Sequence, residues 1–93
     1  VTAFGDADAT LEKGVNYASA NTSTTRTLTL PASAGLTAGD SVKVKVAGVS
    51  SGAVTIARAG SQTIDGSLTS VVLESDNAAI ELVYVAADDW RIF

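Results

Sequence analysis

The residues of this chain that come nearest to a chemical site are carboxylates. Asp6 and Asp8 form a D-x-D pair, and Asp88 and Asp89 are adjacent. Acid pairs of this kind can supply oxygen ligands to calcium. An EF-hand loop would add a glycine at its sharp turn and a glutamate at its end, and neither pair is followed by them. Both pairs therefore read as turn chemistry and solvated charge. Glu74 and Glu81 would be the acid and base of a glycoside hydrolase only if held at a fixed separation in a cleft with aromatic platforms. Two Phe, two Tyr and one Trp are too few to signal such a cleft.

Other catalytic chemistries lack their central residue. The chain has no His and no Cys. The commonest general base, the commonest nitrogen ligand and any thiolate are thereby excluded. Ser and Thr are plentiful, but no G-x-S-x-G elbow or base partner accompanies them. The glycine-bounded segment Gly60 to Gly66 leads into a strand and carries no G-K-[ST], so it is not read as a phosphate loop. Asn21-Thr22-Ser23 matches the glycosylation sequon, a short match that arises often by chance. Trp90 alternates in phase with Ile92, which makes it a packing plug before a sugar-stacking platform. The expectation is a protein that is not an enzyme and holds no cofactor or metal.

Composition narrows the partners. The net charge is −4 and no basic block exists, which argues against direct nucleic-acid binding. No apolar run approaches the roughly 20 residues that span a bilayer. The start, V-T-A-F-G-D-A-D, lacks the basic and apolar regions of a signal peptide. Charged residues make up 17% of the chain, against about 25% in an average domain. The shortfall suggests surface covered by partners. A chain of 93 residues buries only roughly 60–65% of its unfolded surface, so it gains by burying more against copies of itself.

The elements that would carry any site are strands. Short alternating runs separated by turn residues fill the chain from Arg26 onward. Strands are predicted over 26–30, 41–47, 53–58, 69–74, 78–85 and 90–93, with a short Thr63-Ile64 bridge. In the cleanest, Val42, Val44 and Val46 face in while Lys43 and Lys45 face out. Ser50-Ser51-Gly52 reads as a hairpin turn, Thr10 to Tyr17 as a weak hairpin at Lys13-Gly14, and the last two strands as a further hairpin. The inward set is Leu28, Leu30, Val42, Val44, Val46, Val54, Ile56, Ile64, Leu73, Ile80, Leu82, Tyr84, Trp90 and Ile92. The 78–85 strand is apolar on both faces, with Val83 and Val85 opposite the inward set. No helix is predicted to cover that second face, so it reads as a subunit interface. Arg91 and Phe93, opposite Trp90 on their strand, would extend it. Residues 1–10 show no sustained periodicity and read as an N-terminal arm, with 11–93 as the folded domain. Val1, Phe4 and Leu11 would be the arm's apolar anchors onto a partner.

The series T-L-T-L-P, G-L-T-A-G-D-S-V-K-V, G-A-V-T-I, G-S-Q-T-I-D-G, A-I-E-L-V-Y-V and W-R-I resembles the small β-sandwich domains of tailed-bacteriophage virion proteins. These include capsid decoration, or cement, proteins and domains of tail fibres. The resemblance covers about residues 26–93. It implies an all-β fold, a compact antiparallel sandwich of β-tulip or jelly-roll type, that is trimeric and catalytically silent. The implied function is to bind the major capsid protein on the outer surface of the head and stabilise the shell. A short chain without shaft repeats is expected of a decoration protein more than of a fibre. The alternative is a receptor- or carbohydrate-binding domain of a tail fibre.

Overall fold

A computed structural model describes all residues, 1–93. The chain is all-β. Its strands are β1 (Thr2–Phe4), β2 (Ala9–Thr10), β3 (Gly14–Ala18), β4 (Arg26–Thr29), β5 (Ser41–Lys45), β6 (Val54–Ala57), β7 (Thr63–Ile64), β8 (Ser70–Leu73), β9 (Ala79–Ala86) and β10 (Asp89–Ile92). One turn of 3₁₀ helix at Ser33–Gly35 is the sole helical element. The strands form a six-stranded sheet, ordered β1-β3-β5-β9-β10-β7, and a four-stranded sheet, ordered β2-β4-β6-β8.

Both sheets are mixed, which corrects the expectation of an antiparallel sandwich. β1/β3, β3/β5, β2/β4, β4/β6 and β7/β10 run parallel. β5/β9, β9/β10 and β6/β8 run antiparallel. The reason lies in the path of the chain. From β1 to β9 each successive strand changes sheet, so β1/β3, β2/β4, β3/β5, β4/β6 and β6/β8 join strands two places apart, while β5 pairs with β9 and β7 with β10. The intervening strand in the other sheet is the crossover that parallel neighbours require. Short Gly- and Ser-rich turns such as Ser50-Ser51-Gly52 therefore bridge the two sheets and are not hairpins. Only β9 and β10 form a hairpin.

The arches at one end of the molecule stack on one another through short polar side chains. Asp6 Oδ1 accepts the Ser23 N–H at 3.1 Å, and Asn21 Oδ1 accepts the Gly48 N–H at 2.9 Å. Asp76 Oδ1 accepts the Val49 N–H at 2.8 Å. These bonds satisfy backbone donors that no ladder reaches. Gly52 fits the stack because it has no side chain: a Cβ there would lie 2.0 Å from the Thr24 carbonyl carbon.

The two sheets share a single hydrophobic cluster. Val42, Val44, Leu82, Tyr84 and Trp90 enter it from the larger sheet, and Leu28, Val54, Ile56 and Leu73 from the smaller. The Tyr84 and Trp90 rings meet edge to face, with centroids 5.2 Å apart. Lys43 and Lys45 are exposed while their valine neighbours are buried, so the alternation register of β5 holds. Ile80 and Ile92 from the predicted inward set are half-buried at the margin.

The N-terminal arm is also corrected. Residues 1–10 contribute an edge strand to each sheet, β1 on β3 and β2 on β4. Phe4 and Leu11 are core residues, 7% and 2% exposed. Neither is available as an anchor on a partner. Val1 alone of the three is free, at 95% exposure. Strands of three and two residues are too short for alternation to register in the sequence.

Candidate functional site

The larger sheet has one face on the core and one face bare. Cross-strand register fixes which side chains share the bare face, since partners in register point the same way. One row runs Ser41, Val83, Arg91. The next runs Val15, Lys43, Glu81, and Phe93 joins it through its N–H on the Glu81 carbonyl at 3.0 Å. A third runs Ala3, Tyr17, Lys45, Ala79. Val85 lies beyond the first row on the same face of β9. The four residues expected at an interface, Val83, Val85, Arg91 and Phe93, are therefore brought to one surface. Val83 is half-buried, while Val85, Arg91 and Phe93 are exposed, Phe93 by 71%.

Val15 and Tyr17 belong to this face and were missed by sequence reasoning. Both are exposed. Their signal was the alternation V-N-Y, obscured because the interposed residue is a buried polar one. Asn16 is 1% exposed, and it earns that place by hydrogen bonding. Its Oδ1 accepts the Glu12 N–H at 3.0 Å, and its Nδ2 donates to the Glu12 and Lys43 carbonyls at 2.9 and 3.3 Å.

The charges of the face fall into two groups. Arg91 is fixed and neutralised by Asp89, with Nη2 2.9 Å and Nε 3.0 Å from the same carboxylate oxygen. Burial alone would raise the Asp89 carboxyl. Hydrogen bonds from Thr63 and Arg91, the Arg91 charge and the Gly66 N–H outweigh it and hold the group below its ordinary value. Lys43 and Lys45 have no carboxylate partner within ion-pair distance: the ion pairs of the chain are Lys13–Asp40, Arg26–Asp6 and Arg91–Asp89. Lys45 Nζ donates to the Asn77 carbonyl at 2.5 Å. The two lysines border a shallow depression of about 380 Å³ whose other walls include Val15, Ala79, Glu81 and Phe93.

The remaining sequence candidates lie elsewhere. Asp6 and Asp8 accept hydrogen bonds from Ser23, Arg26 and Thr27. Asp88 accepts the Ser33 hydroxyl at 2.6 Å, and Asp89 the Thr63 hydroxyl at 3.1 Å. No three His, Cys, Asp or Glu side chains converge on a point that could hold a metal ion. Glu81 stands on the larger sheet and Glu74 just past the end of β8 in the smaller, so they share no cleft. Asn21 of the sequon is engaged with Gly48, and Thr22 is buried with its hydroxyl on the Gly52 carbonyl. Trp90 is 0% exposed, so it offers no platform to a sugar. No helix is long and apolar enough to cross a membrane. No family model matches the chain, and no curated protein matches it.

Proposed function

We propose that this protein is a catalytically silent virion module, a bacteriophage capsid decoration protein. On this reading it binds the outer surface of the head as a homotrimer and stabilises the shell. The observation that carries the reading is the bare face of the six-stranded sheet, where Val83, Val85 and Phe93 stand with no element of the chain over them. A small domain gains stability by covering such a face with a copy of itself. Three subunits in a closed ring would do so through heterologous contacts. The resemblance of the motif series to phage virion domains suggests the setting.

Contact with the major capsid protein falls to surface outside the core. Phe4 and Leu11 are used in folding, which leaves Val1 and the exposed loops. The rival reading, a carbohydrate-binding fibre domain, loses Trp90 as its platform. Sedimentation of the chain at micromolar concentration tests the oligomer. A trimer that Val83→Asp with Val85→Asp converts to folded monomer supports the reading. A stable wild-type monomer that also fails to saturate sites on expanded phage heads overturns it.

A further inference from the structure

The charge balance of the chain singles out the depression at Lys43 and Lys45. The chain holds six cations. Lys13, Arg26 and Arg91 are paired with carboxylates. Arg58 donates to the Gln62 carbonyl at 3.3 Å, and Lys45 to that of Asn77. The Lys43 ammonium makes neither an ion pair nor a hydrogen bond within the chain, and it faces Glu81 in register across the strand. Two of the three cations outside an ion pair thus share one face of β5 at this depression, on a molecule of net charge −4. Their Cα atoms are about 7 Å apart, as for any i, i+2 pair in a strand, so both long side chains can close on a single anion.

The other walls define what the anion is attached to. Phe93 and Val15 present apolar surface, which suits the flat face of a ring. Glu81, directly opposite Lys43 in register, is a carboxylate that can only accept hydrogen bonds. A simple acid would leave Glu81 facing like charge. A sugar acid brings hydroxyl donors for Glu81 together with a carboxylate for the lysines. Nucleic acid would need a longer basic track than two residues. The volume lies at the low end of small-molecule sites, about 300–1,000 Å³.

We infer that this depression binds an acidic saccharide: a carboxylate-bearing pyranose whose carboxylate lies between Lys43 and Lys45, whose hydroxyls meet Glu81 and whose ring rests on Phe93. The site occupies the Ala79 end of β9, whereas Val83 and Val85 lie toward the other end, so it stands apart from the proposed trimer contact except at Phe93. It does not depend on the decoration reading.

The test is titration of the intact chain with tetragalacturonate at low salt, followed by amide chemical shifts. Maltotetraose serves as the neutral control. Saturable shifts at residues 15–17, 43–45 and 79–81, absent with maltotetraose, are expected. Lys43→Gln with Lys45→Gln should weaken binding at least about tenfold, as loss of hydrogen bonds from charged groups does. Phe93→Ala should also weaken it, whereas Arg58→Gln should not. All four positions are outside the fully buried core, and unchanged shifts elsewhere confirm the fold. Equal binding of maltotetraose, an equal loss in Arg58→Gln, or no saturation overturns the inference. Binding retained by the Val83→Asp, Val85→Asp monomer separates this site from the oligomer. Binding found only in the oligomer assigns the ligand to a subunit seam and overturns the single-chain site.

Discussion

The indole N–H of Trp90 donates to the side-chain oxygen of Gln62 at 3.0 Å in the closed interior of the molecule. Gln62 is 1% exposed, yet every polar atom of its amide is used. Its oxygen also accepts the Ala59 N–H at 3.1 Å, and its nitrogen donates to the Pro31 carbonyl and the Ser33 hydroxyl, both at 2.9 Å. One side chain thus ties together the β4–β5 loop, the β6–β7 loop and β10. Gln62→Ala leaves several buried groups without partners, at about 1–3 kcal/mol for each that water cannot reach. The expected loss is about 2–4 kcal/mol in urea unfolding followed by Trp90 fluorescence. A loss under about 1 kcal/mol would show that the hub is dispensable.

Phe4 gives the second prediction. It is buried among core residues although it lies in an edge strand of three residues. Phe4→Ala should cost about 3 kcal/mol or more, the usual range for an emptied aromatic site. Deleting residues 1–9 removes that side chain, all of β1 and Ala9, one of the two residues of β2. It should abolish cooperative unfolding altogether. A truncated chain with an unchanged melting transition would return these residues to the status of an arm.

The contrast between β5 and the N-terminus shows what the sequence exposes and what it hides. V-K-V-K-V declares its register because a one-residue slip would bury two lysines. The position of β9 was legible as well, since its apolar run, expected at 78–85 and found at Ala79–Ala86, lies between turn residues. Partner choice was hidden. Turns such as Ser50-Ser51-Gly52 have the same composition whether they join neighbours in one sheet or cross between two, so parallel pairing left no local trace. Gln62 and Asn16 were hidden for another reason. A buried amide is indistinguishable in sequence from a loop amide until its partners, 28 residues away for Trp90 and 27 for Lys43, are in place.

Gly52 carries the third prediction. The two stacked arches approach so closely that any Cβ at this position collides with the Thr24–Thr25 backbone, which cannot swing aside as a side chain could. Gly52→Ala must separate the arches and lose the Thr22 hydroxyl bond to the Gly52 carbonyl. The expected cost is about 2 kcal/mol or more, above the range of ordinary surface changes. Gly35→Ala, where a Cβ meets nothing within 4 Å, is the matched control and should be near neutral. Equal stability of the two variants in thermal melts would refute the close-packed arch.

Asp6 gives a pH signature. Its Oδ1 accepts Arg26 Nε at 2.8 Å and the Ser23 N–H at 3.1 Å. The Arg26 hydrogen bond first, and then those from Ser23, hold its carboxyl far below the ordinary value of 3.8. A carboxyl whose folded value is depressed binds its proton more readily when unfolded. Its contribution to stability is therefore complete above the unfolded value, about 3.9, and is lost as pH falls from there toward the folded value. Arg26 shifts the opposite way, upward, and stays charged throughout that window. Wild-type melting temperature should accordingly fall between about pH 4 and pH 2. Asp6→Asn should melt lower at pH 7, because the pair that ties the β1–β2 arch to the next is gone. Its melting temperature should also fall less steeply below about pH 4, so the two curves converge in acid. The residual slope of the variant belongs to the remaining acids, Asp89 among them, whose carboxyl is held down by Thr63 and Arg91. Parallel wild-type and Asp6→Asn curves across this range would show that the Arg26 contact contributes nothing to the folded state in solution.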